Sequence, residues 1–137
     1  MFRFEKLEIW KMAIDYTNKV YDISETLPKN EVFGLTSQLK RAALSISSNI
    51  AEGSGSSSTK DFSHYLDISI KSTIETVSQL RFAQSRKYAK STTVSTLYDE
   101  AETLVKRIQG LKLYLKNHHA LKSARKSTSN VPPSTNL

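Results

Sequence analysis

Val94, Leu97, Ala101, Leu104, Ile108, Leu111 and Leu115 recur at alternating steps of three and four residues. Such spacing lays one apolar seam along one face of an α-helix, a pattern no strand would present. Two apolar positions in every seven suit a helix packed against other helices. The acids Asp99, Glu100 and Glu102 stand near the start of the segment, where the helix dipole favours negative charge. A chain of 137 residues can bury one core but not two. The question is what else packs against this seam.

Three further helices are predicted. The first spans about residues 5–25 and carries two apolar stripes. Leu7, Trp10, Ile14 and Tyr21 form one, and Ile9, Ala13, Tyr16, Val20, Ile23 and Leu27 form the other. Together they cover roughly 200° of arc, about twice what a monomeric surface helix needs. The second stripe is therefore expected either deep in the bundle or against another subunit. Pro28 stops this helix. The second helix is predicted from an N-cap at Thr36 to Ala51 or Glu52. Leu35, Leu39, Ala42, Ile46 and Asn49 lie on its inward stripe, and Gly53 is expected to end it through a positive φ. The third is predicted over about 59–88, with Ser58 and Asp61 as a capping-box variant. Short links between four amphipathic helices predict an all-α, antiparallel up-down-up-down four-helix bundle over residues 1–120. After Ala120 the composition shifts to Ser, Thr, Asn and Pro, so 121–137 are expected to form a disordered basic tail.

Charge is distributed unevenly. Residues 1–102 carry 13 basic and 13 acidic side chains, so the net +7 resides in the last quarter. Lys106, Arg107, Lys112, Lys116, Lys122, Arg125 and Lys126 are accompanied there by no acid. Dipole complementation at a helix C-terminus accounts for Lys112 and Lys116. It does not account for the acid-free run beyond them, which suits a polyanion. Arg81, Arg86, Lys87 and Lys90 form a second basic group. In an antiparallel bundle it marks one end, and Arg3, Lys6, Lys60, Lys112 and Lys116 share the other.

Several function classes find little support. The chain has no cysteine, so disulfides and thiolate chemistry are excluded and a reducing cytoplasm is the expected compartment. It has no apolar run of the roughly 18 residues that would suggest a membrane span. "SISSNIAEGSG", residues 45–55, follows a helix and lacks the form of a phosphate-binding loop. No base is evidently held beside its serines. His64, Asp61 and Asp67 lack the second histidine at i+4 that a metal site would want, and no cofactor or metal is expected. The stretch reads instead as packing. Ser45 and Ser48 permit close helix approach, Asn49 and Glu52 seek partners across the bundle, and Arg41 could pair with Glu75. No catalysis is expected.

The segment "FRFEKLEIWKMAIDYTNKVYDISETLPKNEVFGLTSQLKRAALSISSNIAEGSG" resembles the small bacterial bundle proteins called 23S rRNA-intervening sequence proteins. The matching residues are Phe4, Leu7, Trp10, Pro28, Glu31, Gly34, Leu35, Gln38, Arg41 and Ala42. The core is S-x-x-x-N-I-A-E-G at Ser45, Asn49, Ile50, Ala51, Glu52 and Gly53. "FSHYLDISIKSTIET" is similar to the family's third helix through Phe62, Leu66, Ser72 and Glu75, and "TIETVSQL" departs modestly from it. The resemblance implies a reading frame within insertions of large-subunit rRNA genes. It also implies kinship with accessory proteins of diversity-generating retroelements, which form pentameric barrels and contact nucleic acid and a reverse transcriptase. No enzymatic activity is implied.

The expectation is a non-catalytic homo-oligomer, a pentamer by resemblance, that binds nucleic acid through basic surfaces, RNA in preference to DNA. The candidate phosphate-binding residues are Lys106, Arg107, Lys112, Lys116, Lys122, Arg125, Lys126, Arg86, Lys87 and Lys90. Arg41, Ser45, Asn49, Glu52, Gly53 and Glu75 are expected to be structural. The rival is a protein-interaction or oligomerisation module without nucleic-acid binding.

Overall fold

A computed structural model describes residues 1–129 of the chain, and expectations for 130–137 lie outside the described residues. Four helices, α1 (Glu8–Ser24), α2 (Leu35–Ser54), α3 (Thr59–Ser85) and α4 (Ser91–Ser129), pack as the predicted bundle. No strand occurs among the described residues. Each helix packs on its neighbours in chain order, and α1 closes the ring against α4 along a sparser contact. A short 3₁₀ turn, Arg3–Lys6, precedes α1, and another, Lys29–Glu31, leads towards α2.

The helix ends follow local chemistry. The carbonyl oxygens of Tyr21, Ile23 and Ser24 accept from the next backbone amides, closing α1 before Pro28. Thr36 does not cap α2. Glu31 takes that role, its carboxylate accepting from the Leu35 amide at 3.1 Å, and Thr36 is buried in the first turn. Ser58 caps α3 as predicted, accepting from the Asp61 amide at 3.1 Å. At the end of α3, the Lys87 amide bonds the Gln84 carbonyl and the Tyr88 amide bonds the Ala83 carbonyl. Lys87 has φ 63°, the left-handed conformation that this C-terminal motif requires.

Gly53 departs from expectation. It is not a positive-φ stop; it lies inside α2, one residue before the helix ends. A Cβ there would sit 2.7 Å from Tyr65 Cβ and 2.9 Å from Phe62 Cδ1. Glycine is therefore required by the approach of α3, not by a turn.

α4 continues as helix through Ser129, well past the expected end of the bundle at residue 120. Leu115 is its last buried residue among those whose burial is described. The helix thus projects about 14 residues further, roughly 21 Å at 1.5 Å per residue. Composition argued against a packed core in this segment. It did not forbid continuing a helix already nucleated by the bundle.

The core shows which stripe of α1 faces inward. Ile9, Ala13, Tyr16, Val20, Ile23 and Leu27 are buried within the chain itself. Leu7 and Trp10 are only partly buried against it. The stripe assigned to another subunit as one of two alternatives is therefore the chain's own core. It meets Leu39, Ile46, Ile50, Leu66, Leu80, Leu104 and Ile108.

Sequence reading missed a layer of buried hydroxyls. Tyr16 reaches across the bundle to Thr76, 2.7 Å between oxygens. Thr76 and Thr73 also bond carbonyls of their own helix, and Ser69 donates to the Ile46 carbonyl of α2 at 2.9 Å. Thr17 donates to the Ala43 carbonyl at 3.0 Å. Satisfied in this way, the hydroxyls avoid the desolvation cost of an unpaired buried polar group. Burial pushes the Tyr16 phenol up to about 12, outweighing the Thr76 hydrogen bond that acts in the opposite sense.

Candidate nucleic-acid interface

The predicted structural motif divides into distinct roles. Ser45 shares a hydroxyl contact of 2.9 Å with Ser72 of α3. Asn49 is half-buried and donates to the Ser45 carbonyl and hydroxyl at 2.8 and 2.9 Å, so its partner lies one turn back on α2 and not across the bundle. Glu52 is exposed and has no side-chain hydrogen bond or ion pair among the described residues, correcting the expectation of a cross-bundle partner. Arg41 and Glu75 are both exposed and unpaired with each other, and Glu75 accepts from Gln79 at 3.3 Å. Gly53 supplies the close approach described above.

The basic candidates fall into several groups. At the α3–α4 turn, Arg86 lies 3.5 Å from the Tyr88 hydroxyl and 5.5 Å from its ring centroid, and this hydrogen bond holds its guanidinium above its ordinary value. Lys87 and Lys90 are exposed beside it. Arg81, also at this end, donates to Gln84 and covers the Tyr98 ring at 4.9 Å.

At the opposite end, Lys112 forms an ion pair with Asp67 of α3. Lys60, His64, Lys116 and His119 line the same groove, about 670 Å³, together with Thr59 and Ser63. Arg3 joins this end, donating to the Ser54 carbonyl at 3.2 Å and lying 5.3 Å from the Phe62 ring centroid. Of Arg3, Lys6, Lys60, Lys112 and Lys116, expected to share one end, Lys60, Lys112 and Lys116 line the groove and Arg3 lies beside it.

The remaining cations of α4 do not form a single face. Lys106 stands 4.0 Å from Glu102, and Arg107 projects about 140° round the helix from Lys112 at 100° per residue. Arg125 is exposed on the extension of α4, where Lys122 and Lys126 also occupy helical backbone positions. Sequence reading left His64 and His119 apart, and the fold brings both into the lining of this groove. Their proximity depends on the register of two helices, which spacing along one helix cannot reveal.

Towards the middle of the bundle the same α3–α4 groove turns apolar. Ile74, Val77, Tyr98 and Val105 line it, and Ile74 is 57% exposed despite its size. Among the described residues no cluster of three potential metal ligands occurs, and no helix is long and apolar enough to cross a membrane.

The fold defines the class: an all-helical four-helix bundle. The sequence model for "23S rRNA-intervening sequence protein" matches residues 5–110. The chain belongs to that family. It is similar in structure to a protein of unknown function from the S23 ribosomal protein family of Bacteroides thetaiotaomicron VPI-5482. That likeness has a TM-score of 0.71 at 19% identity and covers 76% of this chain and 97% of the other. At this identity it supports the fold alone. Comparison with curated proteins finds no match.

Proposed function

We propose that this chain is a non-catalytic, homo-oligomeric bundle that binds nucleic acid through phosphate contacts, RNA in preference to DNA. In this reading it serves an rRNA intervening sequence or a reverse transcriptase as an accessory. The observation that carries the reading is the cationic groove of Lys60, Lys112 and Lys116, beside an α4 that carries no acid after Glu102. Lysines act there as point charges that neutralise phosphates without reading bases. The family name supports RNA as the polyanion. Self-association is supported by the exposed apolar surface of Ile74, Phe82 and Tyr98.

Fluorescence anisotropy with labelled RNA and DNA of matched length tests the reading. Affinity is expected to fall with salt at a logarithmic slope of about −0.7 per contacted phosphate on single strands. Joint substitution Lys60→Gln and Lys116→Gln is expected to reduce that slope by about 1.4. No binding at low salt would eliminate the reading. The alternative, a protein adaptor or oligomerisation module, is favoured by the apolar half of the α3–α4 groove and would then lead.

A further inference from the structure

Two helices of opposite direction present the same ladder across the cationic groove. Lys60, His64 and Asp67 stand at i, i+4 and i+7 on α3, and Lys112, His119 and the intervening Lys116 repeat that spacing on α4. Residues so spaced share one helix face. The Asp67–Lys112 ion pair fixes the register of the two faces. Counting away from it in antiparallel sense places His64 opposite Lys116, and Lys60 opposite His119. The first rung is an acid–base pair closed on itself. The next two levels each carry one imidazole and one ammonium among the lining residues, with no carboxylate lining that part of the groove.

We infer that this ladder is a proton-gated phosphate seat, in which His64 and His119 become cations that hold successive phosphates together with Lys116 and Lys60. The inference rests on the nucleic-acid reading and adds regulation of the same surface by pH. An imidazole ordinarily changes charge near pH 6.5, while an ammonium remains charged throughout the physiological range. Protonation opposite a lysine brings two positive charges together. A phosphate between them relieves that repulsion and accepts from both. Proton uptake and phosphate binding therefore favour each other.

The residues favour phosphate over a peptide carboxylate. Thr59 and Ser63 add hydroxyl donors to the lining, and the groove lining contains no arginine fork for bidentate carboxylate recognition. The titratable and charged groups facing it are Lys60, His64 and Asp67 from α3 and Lys112, Lys116 and His119 from α4. Neither α1 nor α2 lines it. Asp67 opposes binding by holding Lys112.

The experiment measures binding of the full chain to a uridine oligonucleotide from about pH 8 to about pH 5.5, at several salt concentrations. Affinity is expected to rise about tenfold or more as pH falls, and the salt slope to steepen by about 1.4 for two gained contacts. The double variant His64→Gln, His119→Gln is expected to keep its helical circular dichroism and to lose both pH effects. His118→Gln, beside the groove in sequence but absent from its lining, is expected to keep them. Asp67→Asn is expected to strengthen binding at about pH 8 several-fold by releasing Lys112. Binding that is salt-dependent but flat with pH overturns the seat and leaves the nucleic-acid reading intact. A pH effect that survives in the double variant also overturns it. Absence of binding at every pH overturns both.

Discussion

The two faces of α3 differ sharply. Towards α2 and the core it presents small and hydroxylated residues, with Ser69 and Ser72 bonding α2 and Thr76 meeting Tyr16 of α1, and it comes close enough to α2 that Gly53 admits no Cβ. Against α4, on the outer side, it diverges into a groove lined by lysines, histidines and exposed apolar side chains. Small polar residues whose hydroxyls find carbonyl partners permit close approach without leaving buried groups unsatisfied. Long side chains hold helices apart and keep their charged ends in water. The conspicuous NIAEG motif consequently belongs to the packed side, and the candidate binding chemistry to the open one.

The largest expected effect tests the close approach. Gly53→Ala would favour α2 by intrinsic propensity, since alanine is the better helix former by about 1 kcal/mol. The added methyl must nevertheless displace Tyr65 Cβ, which is tethered directly to the α3 backbone. Overpacking of this kind typically costs about 1–3 kcal/mol, and a net loss in that range is expected in chemical denaturation. A denaturation midpoint equal to or above wild type would show that the α2–α3 approach can relax.

The next effect probes the diagonal hydroxyl contact. Tyr16 is raised from 10.0 to about 12 in the folded chain because burial disfavours its anion. Above 10 the unfolded chain releases this proton while the folded chain retains it, so the unfolded state binds fewer protons and stability falls. The contribution is complete below 10 and is lost progressively as pH rises through about 12. The loss by the upper end is of the order of 2 kcal/mol. Tyr16→Phe should remove this alkaline component, at a cost of about 1 kcal/mol near neutrality for the hydrogen bond to Thr76. An unchanged alkaline slope in Tyr16→Phe would place the titrating group elsewhere.

The contrast between the faces explains what the sequence disclosed. Apolar periodicity identified four helices because it records which side of each helix leaves water, and Val94 to Leu115 is the clearest instance. It could not decide which of two apolar stripes on α1 faced inward, since both Ile9–Tyr16 and Leu7–Trp10 have helical spacing. Serine and threonine carry no strong hydropathy signal, so the hydroxyl layer was invisible until the helices were placed together. Gly53 sat where a C-terminal glycine usually stops a helix, and only the position of Tyr65 reveals its other reason. In the groove, Lys60, Lys112 and Lys116 were legible from charge and antiparallel topology. That His64 and His119 line the same groove was not legible, because it depends on the register of two helices, which the Asp67–Lys112 contact fixes.

The smallest expected effect separates two neighbours within the motif itself. Asn49 joins the packed side through its amide, which donates to both the carbonyl and the hydroxyl of Ser45. Removing it in Asn49→Ala leaves the Ser45–Ser72 contact with one fewer donor and should cost about 1 kcal/mol. Glu52, only three residues further, is exposed and makes no side-chain bond among the described residues, so Glu52→Ala should change monomer stability by less than about 0.5 kcal/mol. Equal losses for the two variants would erase the distinction. A loss for Glu52→Ala that grows with protein concentration has a different physical meaning: the carboxylate is covered by association, and stability measured on the assembled chain includes that contact. Denaturation at low and high protein concentration, paired with light scattering on each sample, distinguishes these outcomes. A concentration-independent null effect would assign Glu52 to the solvent-facing side of α2, despite its place inside a segment otherwise committed to packing.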